Sequence, residues 1–196
     1  MAEHQSTGEL LTNGQFANGD FLGWSVSDHE QIFLARQESG HVAVLMPVPY
    51  LSGISLRQRV TQERASGKYI LTFWIRTSDK RGNAVPGIAR NTNVHLWVHP
   101  LDEGVGYWYR LDPPAVQFWG RRVYHFLLED RGTLQFEIYF NNYNARPDAQ
   151  HFTPIEREGY EQLAVVDESP ELVLPADSDV GDWPYAIRHV SLFKAA

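Results

Sequence analysis

From residue 32 onward, apolar residues recur at every second position in short runs rich in Val, Ile, Phe, Tyr and Trp, and clusters of Gly, Pro, Asn and Asp separate the runs. A period of two marks strands with one buried face, and the intervening clusters are turn formers. The pattern predicts strands over 9–12, 22–27, 31–37, 41–46, 54–61, 68–77, 93–99, 106–111, 122–128, 133–140, 163–166, 171–174 and 185–194. Helix-period stretches are nearly absent and no internal repeat occurs, so the chain reads as an all-β sandwich or barrel.

Two segments break the rhythm. Residues 1–8 are polar and read as a disordered leader, which leaves 9–196 as a single domain. Residues 141–184 hold Asn, Pro and acidic side chains with two short apolar runs, and read as an insertion before the last strand, an arm or a lid.

Composition narrows the function classes. With 17 basic against 24 acidic side chains the formal charge is −7, so the surface that neutralises nucleic-acid phosphates is not supplied. No apolar run reaches the length of a membrane-spanning helix, so membrane insertion is not expected. The chain has no cysteine, which excludes disulfides, thiolate metal sites and a cysteine nucleophile. The N-terminus lacks the basic and apolar regions of a secretory signal, so a cytoplasmic location or a non-classical export route is expected.

The segment LLTNGQFANGDFLGW (10–24) resembles the opening of the galactose-binding-like jelly-roll carbohydrate-binding modules appended to bacterial xylanases and cellulases. Two further blocks follow in the order that family shows: ISLRQRV (54–60) with GKYILTFWIR (67–76), and the terminal YAIRHVSLF (185–193). The resemblance implies a jelly-roll β-sandwich that binds a saccharide without catalysis. Locally, Asn13-Gly14 suits a tight turn, Phe16 and Trp24 are core plugs, and Gly23 is expected where backbones approach closely. Relatives in this family carry a structural calcium site, but the corresponding positions are Ala17, Arg188 and His189, so no calcium is expected there.

Residues two apart on a strand share a face, which separates a core set from an outward set. In the three strands concerned, the outward sets are Trp74 with Arg76, His95 with Trp97 and His99, and Gln135 with Glu137 and Tyr139. If these strands line one sheet, as the resemblance implies, the open face combines all eight residues, and Asn142 from NNYN (141–144) joins them at the rim. Flat aromatics meet the C–H face of a pyranose while Arg, Gln, Glu and Asn bond its hydroxyls, so a polysaccharide or oligosaccharide is the expected partner.

Other chemistry is less well supplied. His95 and His99 stand about 13 Å apart at roughly 3.3 Å per residue and cannot share one ion. Asp177, Asp179 and Asp182 in DSDVGD lack the spacing of a calcium loop and read as a solvated acidic turn. No cofactor is implied. A glycosidase needs two carboxyls across a cleft, and Glu137 has no assigned partner, although Asp102, Glu103 or Asp112 could approach from loops. In 107–110, Tyr107 and Tyr109 alternate with Trp108 and Arg110, and one of these pairs is core. Two alternatives remain at this level: the aromatics form a second core layer under residues 141–184, or the jelly roll makes subunit contacts in a homo-oligomer.

Overall fold

The computed structural model describes residues 8–47, 53–61, 66–85, 87–89, 94–101, 107–110, 119–128, 135–143, 166–167, 179–181 and 183–195. Among these, every regular element is a strand: β1 Ser25–Val26, β2 Ile32–Gln37, β3 Gly40–Leu45, β4 Gly53–Thr61, β5 Gly67–Thr77, β6 Gly87–Ala89, β7 Val94–Pro100, β8 Tyr107–Arg110, β9 Gly120–Leu128, β10 Gln135–Tyr143, β11 Val166–Asp167, β12 Asp179–Gly181 and β13 Tyr185–Lys194. A five-stranded sheet runs β1-β4-β10-β7-β8 and a six-stranded sheet runs β11-β9-β5-β13-β3-β2, both antiparallel. The all-β sandwich expected from the alternation is thus the fold observed.

Alternation builds the core. Along β4 the even positions Ile54, Leu56, Gln58 and Val60 are buried, and along β9 the even positions from Arg122 to Leu128 are. The inner faces meet in an aromatic layer: Tyr69 stacks on Phe126 at 5.1 Å, Phe73 on Tyr124 at 5.6 Å, and Phe140 meets Phe73 edge-on at 4.9 Å. Full burial of each such ring stabilises the fold by about 2–3 kcal/mol. Strand β5 stops alternating at its end, where Ile75, Arg76 and Thr77 are all buried. There the six-stranded sheet is covered on its outer side too, by a second cluster of Ala35, Val42, Val44 and Ala186 with Phe33, Met46 and Trp119 packed against it.

The N-terminal segment clamps the last strand. No strand forms over 9–12; instead Leu10 N donates to Leu192 O at 2.9 Å, and Glu9 Oε1 accepts from Leu192 N at 2.8 Å. Phe16 N closes the expected turn on Asn13 O at 3.0 Å, and Phe16 and Trp24 are both buried in the main core. The close backbone approach falls at Gly14, not Gly23: a Cβ on Gly14 would lie 1.9 Å from Val190 O. Gly23 is needed for its φ of 83°, a left-handed value that disfavours side chains. Opposite this turn β13 bulges between Arg188 and Ser191, with His189 at φ 50°.

Several expected boundaries shift. Strand β10 extends to Tyr143, into the segment read as an insertion, because positions 141–143 continue the ladders with β4 and β7. Short parallel strands β6 and β12 were not anticipated, and β12 makes Asp179 the start of a strand rather than part of a turn. The strand expected over 171–174, Asp177, Asp182 and the leader 1–7 lie outside the described residues.

Candidate functional site

Strands β4, β10 and β7 sit side by side, so their outward positions form cross-strand rows. Arg57, Tyr139 and Trp97 are in register, and Trp97 is in turn opposite Trp108 on β8. The row on one side of it joins Arg59, Glu137 and His99, and the row on the other side joins Ser55, Asn141, His95 and Arg110. Register partners share a face of a pleated sheet. On β8, Trp108 and Arg110 are the register partners of Trp97 and His95, while Tyr107 and Tyr109 fall opposite the core positions Val98 and Leu96.

Glu137 is the centre of this face. Although outward, it is only 7% exposed. Arg59 donates to its Oε1 from Nε and Nη2 at 3.4 and 3.3 Å, Arg57 Nη1 lies 3.9 Å from Oε2, and the Tyr139 hydroxyl donates to Oε2. The two guanidiniums remain accessible, with 47% and 58% of the side-chain surface of Arg57 and Arg59 exposed. Arg57 also stands over the Tyr139 ring, 5.8 Å from its centroid. Burial first, then the hydrogen bond and charge of Glu137, hold the Tyr139 hydroxyl above its ordinary pKa, so it is a neutral donor at physiological pH.

Two of the expected site residues belong elsewhere. Trp74 and Arg76 lie on β5, in the six-stranded sheet, and point away from Glu137 across the thickness of the sandwich. The expectation of one shared face is corrected, because β5 pairs with β9 and β13 rather than with β10. On β10 the outward parity of Glu137 and Tyr139 continues at Asn141, and Asn142 is the register partner of Ile54 and Val94. Gln135, Glu137, Tyr139 and His99 lie on one sheet face, and His95 and Trp97 hold the alternate register positions of β7 beside them.

On the opposite face Arg76 and Arg188 form a clasp. Each guanidinium carbon stands 4.2 Å from the Trp119 ring centroid. Arg76 Nη2 donates to Gly82 O and to Gln37 Oε1, and Arg188 Nη1 donates to Ser39 Oγ at 3.0 Å. Burial and the nearby Arg188 charge lower the Arg76 pKa, and Asp79 opposes them. The Nε atoms of both arginines are sealed from solvent, so this clasp ties the 79–83 turn and Trp119 to the sheet rather than offering a binding surface.

Arg57 and Arg59 were missed in the sequence, although the parity of ISLRQRV places both outward once Ile54, Leu56 and Val60 are taken as core. Among the described residues no group of three or more His, Asp or Glu could hold a metal ion.

The fold is that of the β-sandwich carbohydrate-binding modules. A family 61 module solved in complex with β-1,4-galactotriose matches at a TM-score of 0.55, with 13% identity over 96% of this chain and 99% of that one. The enzymatically active domain of tailspike protein 4 from bacteriophage CBA120 matches equally well at 0.55, with 12% identity over 96% of this chain, which spans 21% of the tailspike chain. A tandem of family 22 modules from Paenibacillus barcinonensis gives 0.51 at 10% identity, over 96% of this chain and 51% of that one. At these identities the likeness is one of fold. No family model matches the sequence, and no curated protein does.

Proposed function

We propose that this chain is a noncatalytic carbohydrate-binding module whose saccharide lies across the outer face of the five-stranded sheet. The observation that carries the reading is the register row Arg57, Tyr139, Trp97 and Trp108, which sets an aromatic residue at one level on three successive strands with Arg57 at its end. Aromatic faces take the C–H surface of a sugar, and the guanidinium, Gln135 and Asn141 take its edge. His95 and His99 flank the row on β7. Glu137 acts behind this surface by fixing Arg57, Arg59 and Tyr139, so it orients the contacts instead of making them.

The same arrangement speaks against Glu137 as the acid or base of a hydrolase. A glycosidase needs two carboxyls separated by about 5–9.5 Å, one of them free to take or give a proton. The Glu137 oxygens are taken up by three neighbours, and Asp102, Glu103 and Asp112, the carboxyls that could approach it from loops, lie outside the described residues.

A glycan array with the wild type and the Trp97→Ala and Tyr139→Ala variants, each checked for folding by circular dichroism, tests the proposal. Binding by the wild type that both variants lose is the expected result. A wild type that ignores every glycan and elutes as a stable oligomer would point instead to an assembly module.

A further inference from the structure

Hydrogen-bond polarity across this face is lopsided. At the outward positions of β4 and β10 the charged residues are Arg57 and Arg59 against Glu137. Guanidinium is a donor with no acceptor capacity. The Glu137 carboxylate is buried and already accepts from Arg59 and the Tyr139 hydroxyl, with Arg57 beside it. What the face extends into solvent is therefore positive and donor-rich.

The chain as a whole carries the opposite sign. Residues 141–184 hold ten of the 24 acidic side chains and two of the 17 basic ones, so the acidic surplus is concentrated in that segment of the sequence. The rest of the chain is close to neutral, and on it this face stands out as cationic.

A neutral sugar hydroxyl both donates and accepts, and the two guanidiniums use the accepting half of that capacity alone. A carboxylate or sulfate group on a sugar only accepts, and its paired oxygens match the guanidinium fork. Arg57 and Arg59 are two apart on β4, so they project from the same side, and Glu137 fixes both from beneath. Tyr139 lies beside Arg57 and offers an aromatic surface next to the charge.

We infer that the saccharide bound here is an anionic one, its uronate carboxylate or sulfate groups held by Arg57 and Arg59 while the sugar ring lies against Tyr139. This rests on the carbohydrate-binding reading above and deepens it by naming the class of ligand.

Calorimetric titration of the full chain with oligogalacturonate, a sulfated glycosaminoglycan fragment, β-1,4-galactan and xylan oligosaccharides, at low and at physiological salt, tests it. One of the two acidic probes should bind about tenfold or more tightly than either neutral one and weaken as salt rises; which of them binds tells uronate from sulfate. Arg59→Gln should lose about tenfold in affinity, Arg59→Lys should recover part of it, and Arg57→Gln with Arg59→Gln should abolish binding. Both arginines are half exposed, so these variants are expected to fold, which circular dichroism checks. Salt-insensitive binding of a neutral oligosaccharide, unchanged in Arg59→Gln, would overturn the anionic assignment and leave carbohydrate binding standing. Acidic binding that survives in the double variant would overturn the roles of these arginines. No binding of any of the four, with none on the glycan array, would overturn both readings. Inorganic sulfate that competes as well as the sulfated fragment would reduce the site to one for free oxyanions and also overturn the assignment.

Discussion

Replacing Glu137 by Leu separates the stability of the five-stranded sheet from its use. The carboxylate is buried, yet its cationic partners are not, and that asymmetry sets the energy. Arg59 reaches it at 3.3–3.4 Å and Arg57 at 3.9 Å, longer than the roughly 2.7–2.9 Å of a strong charge-assisted bond. With about half of each arginine in water, each pair contributes on the scale of a surface bridge, about 0.5 kcal/mol. The Tyr139 hydroxyl bond to the carboxylate adds about 1.5 kcal/mol. Against these stands the cost of dehydrating the carboxylate, itself a few kcal/mol for a buried ion. Once Glu137 is gone, the arginines rotate into solvent and leave no buried orphan charge. Leu restores the volume and suits the outward position of a central strand.

The terms nearly cancel, so Glu137→Leu should change the unfolding free energy by no more than about 1 kcal/mol in either direction. Glycan affinity, by contrast, should fall about tenfold or more, because Arg57, Arg59 and Tyr139 lose the group that fixes them. Urea denaturation gives the first quantity and calorimetric titration the second. A stability loss of about 3–5 kcal/mol, the range for a broken buried pair, would refute the reasoning and make Glu137 a structural anchor. In a cycle with Arg59→Gln, the two changes should be nearly additive in stability and clearly non-additive in binding.

Three other perturbations probe the frame around the site. Gly14→Ala places a methyl 1.9 Å from Val190 O, where a backbone bond of 2.9 Å from Val190 N to Gly14 O leaves no room to yield; a loss of about 2–3 kcal/mol is expected in thermal melts, with the N-terminal segment released first. His189 is held below its ordinary pKa of 6.5 by burial and by the Arg188 charge. The unfolded chain therefore takes up that proton first, so the stability is fully present above about pH 6.5 and declines as pH falls below it; His189→Asn, which suits the φ of 50°, should flatten that part of the pH–stability curve. Trp119→Ala removes the ring shared by Arg76 and Arg188 at 4.2 Å, and should cost about 2 kcal/mol in urea denaturation while leaving glycan affinity unchanged, since it stands on the other sheet.

Where the chain's own alternation suffices, the sequence reveals the structure; where pairing decides, it does not. The core faces of β5, β9 and β10 follow from period two, which is a local property of each strand, and these strands were placed with small errors at their ends. Which sheet a strand joins depends on partners far away in sequence. Trp74 and Arg76 have the same alternation whether β5 pairs with β10 or, as it does, with β9 and β13, so nothing in residues 67–77 could separate them from Trp97 and Tyr139. The omission of Arg57 and Arg59 has a different cause. Arg-Gln-Arg at 57–59 reads as a polar run because Gln58 sits in a core position. Its burial depends on Thr12, whose N–H donates to Gln58 Oε1 at 2.6 Å and whose carbonyl accepts from Gln58 Nε2 at 2.8 Å, so the amide is satisfied by a segment 46 residues away. Remove that contact and a buried amide is left without its partners, at a cost of about 1–3 kcal/mol, while Ile54, Leu56 and Val60 still hold the strand in register. The N-terminal segment that resembles a family opening therefore stabilises the strand that carries Arg57 and Arg59 by satisfying its one buried amide, and Thr12→Pro, which deletes the N–H donor, should cost about 1–3 kcal/mol in urea denaturation although it touches no residue of the face.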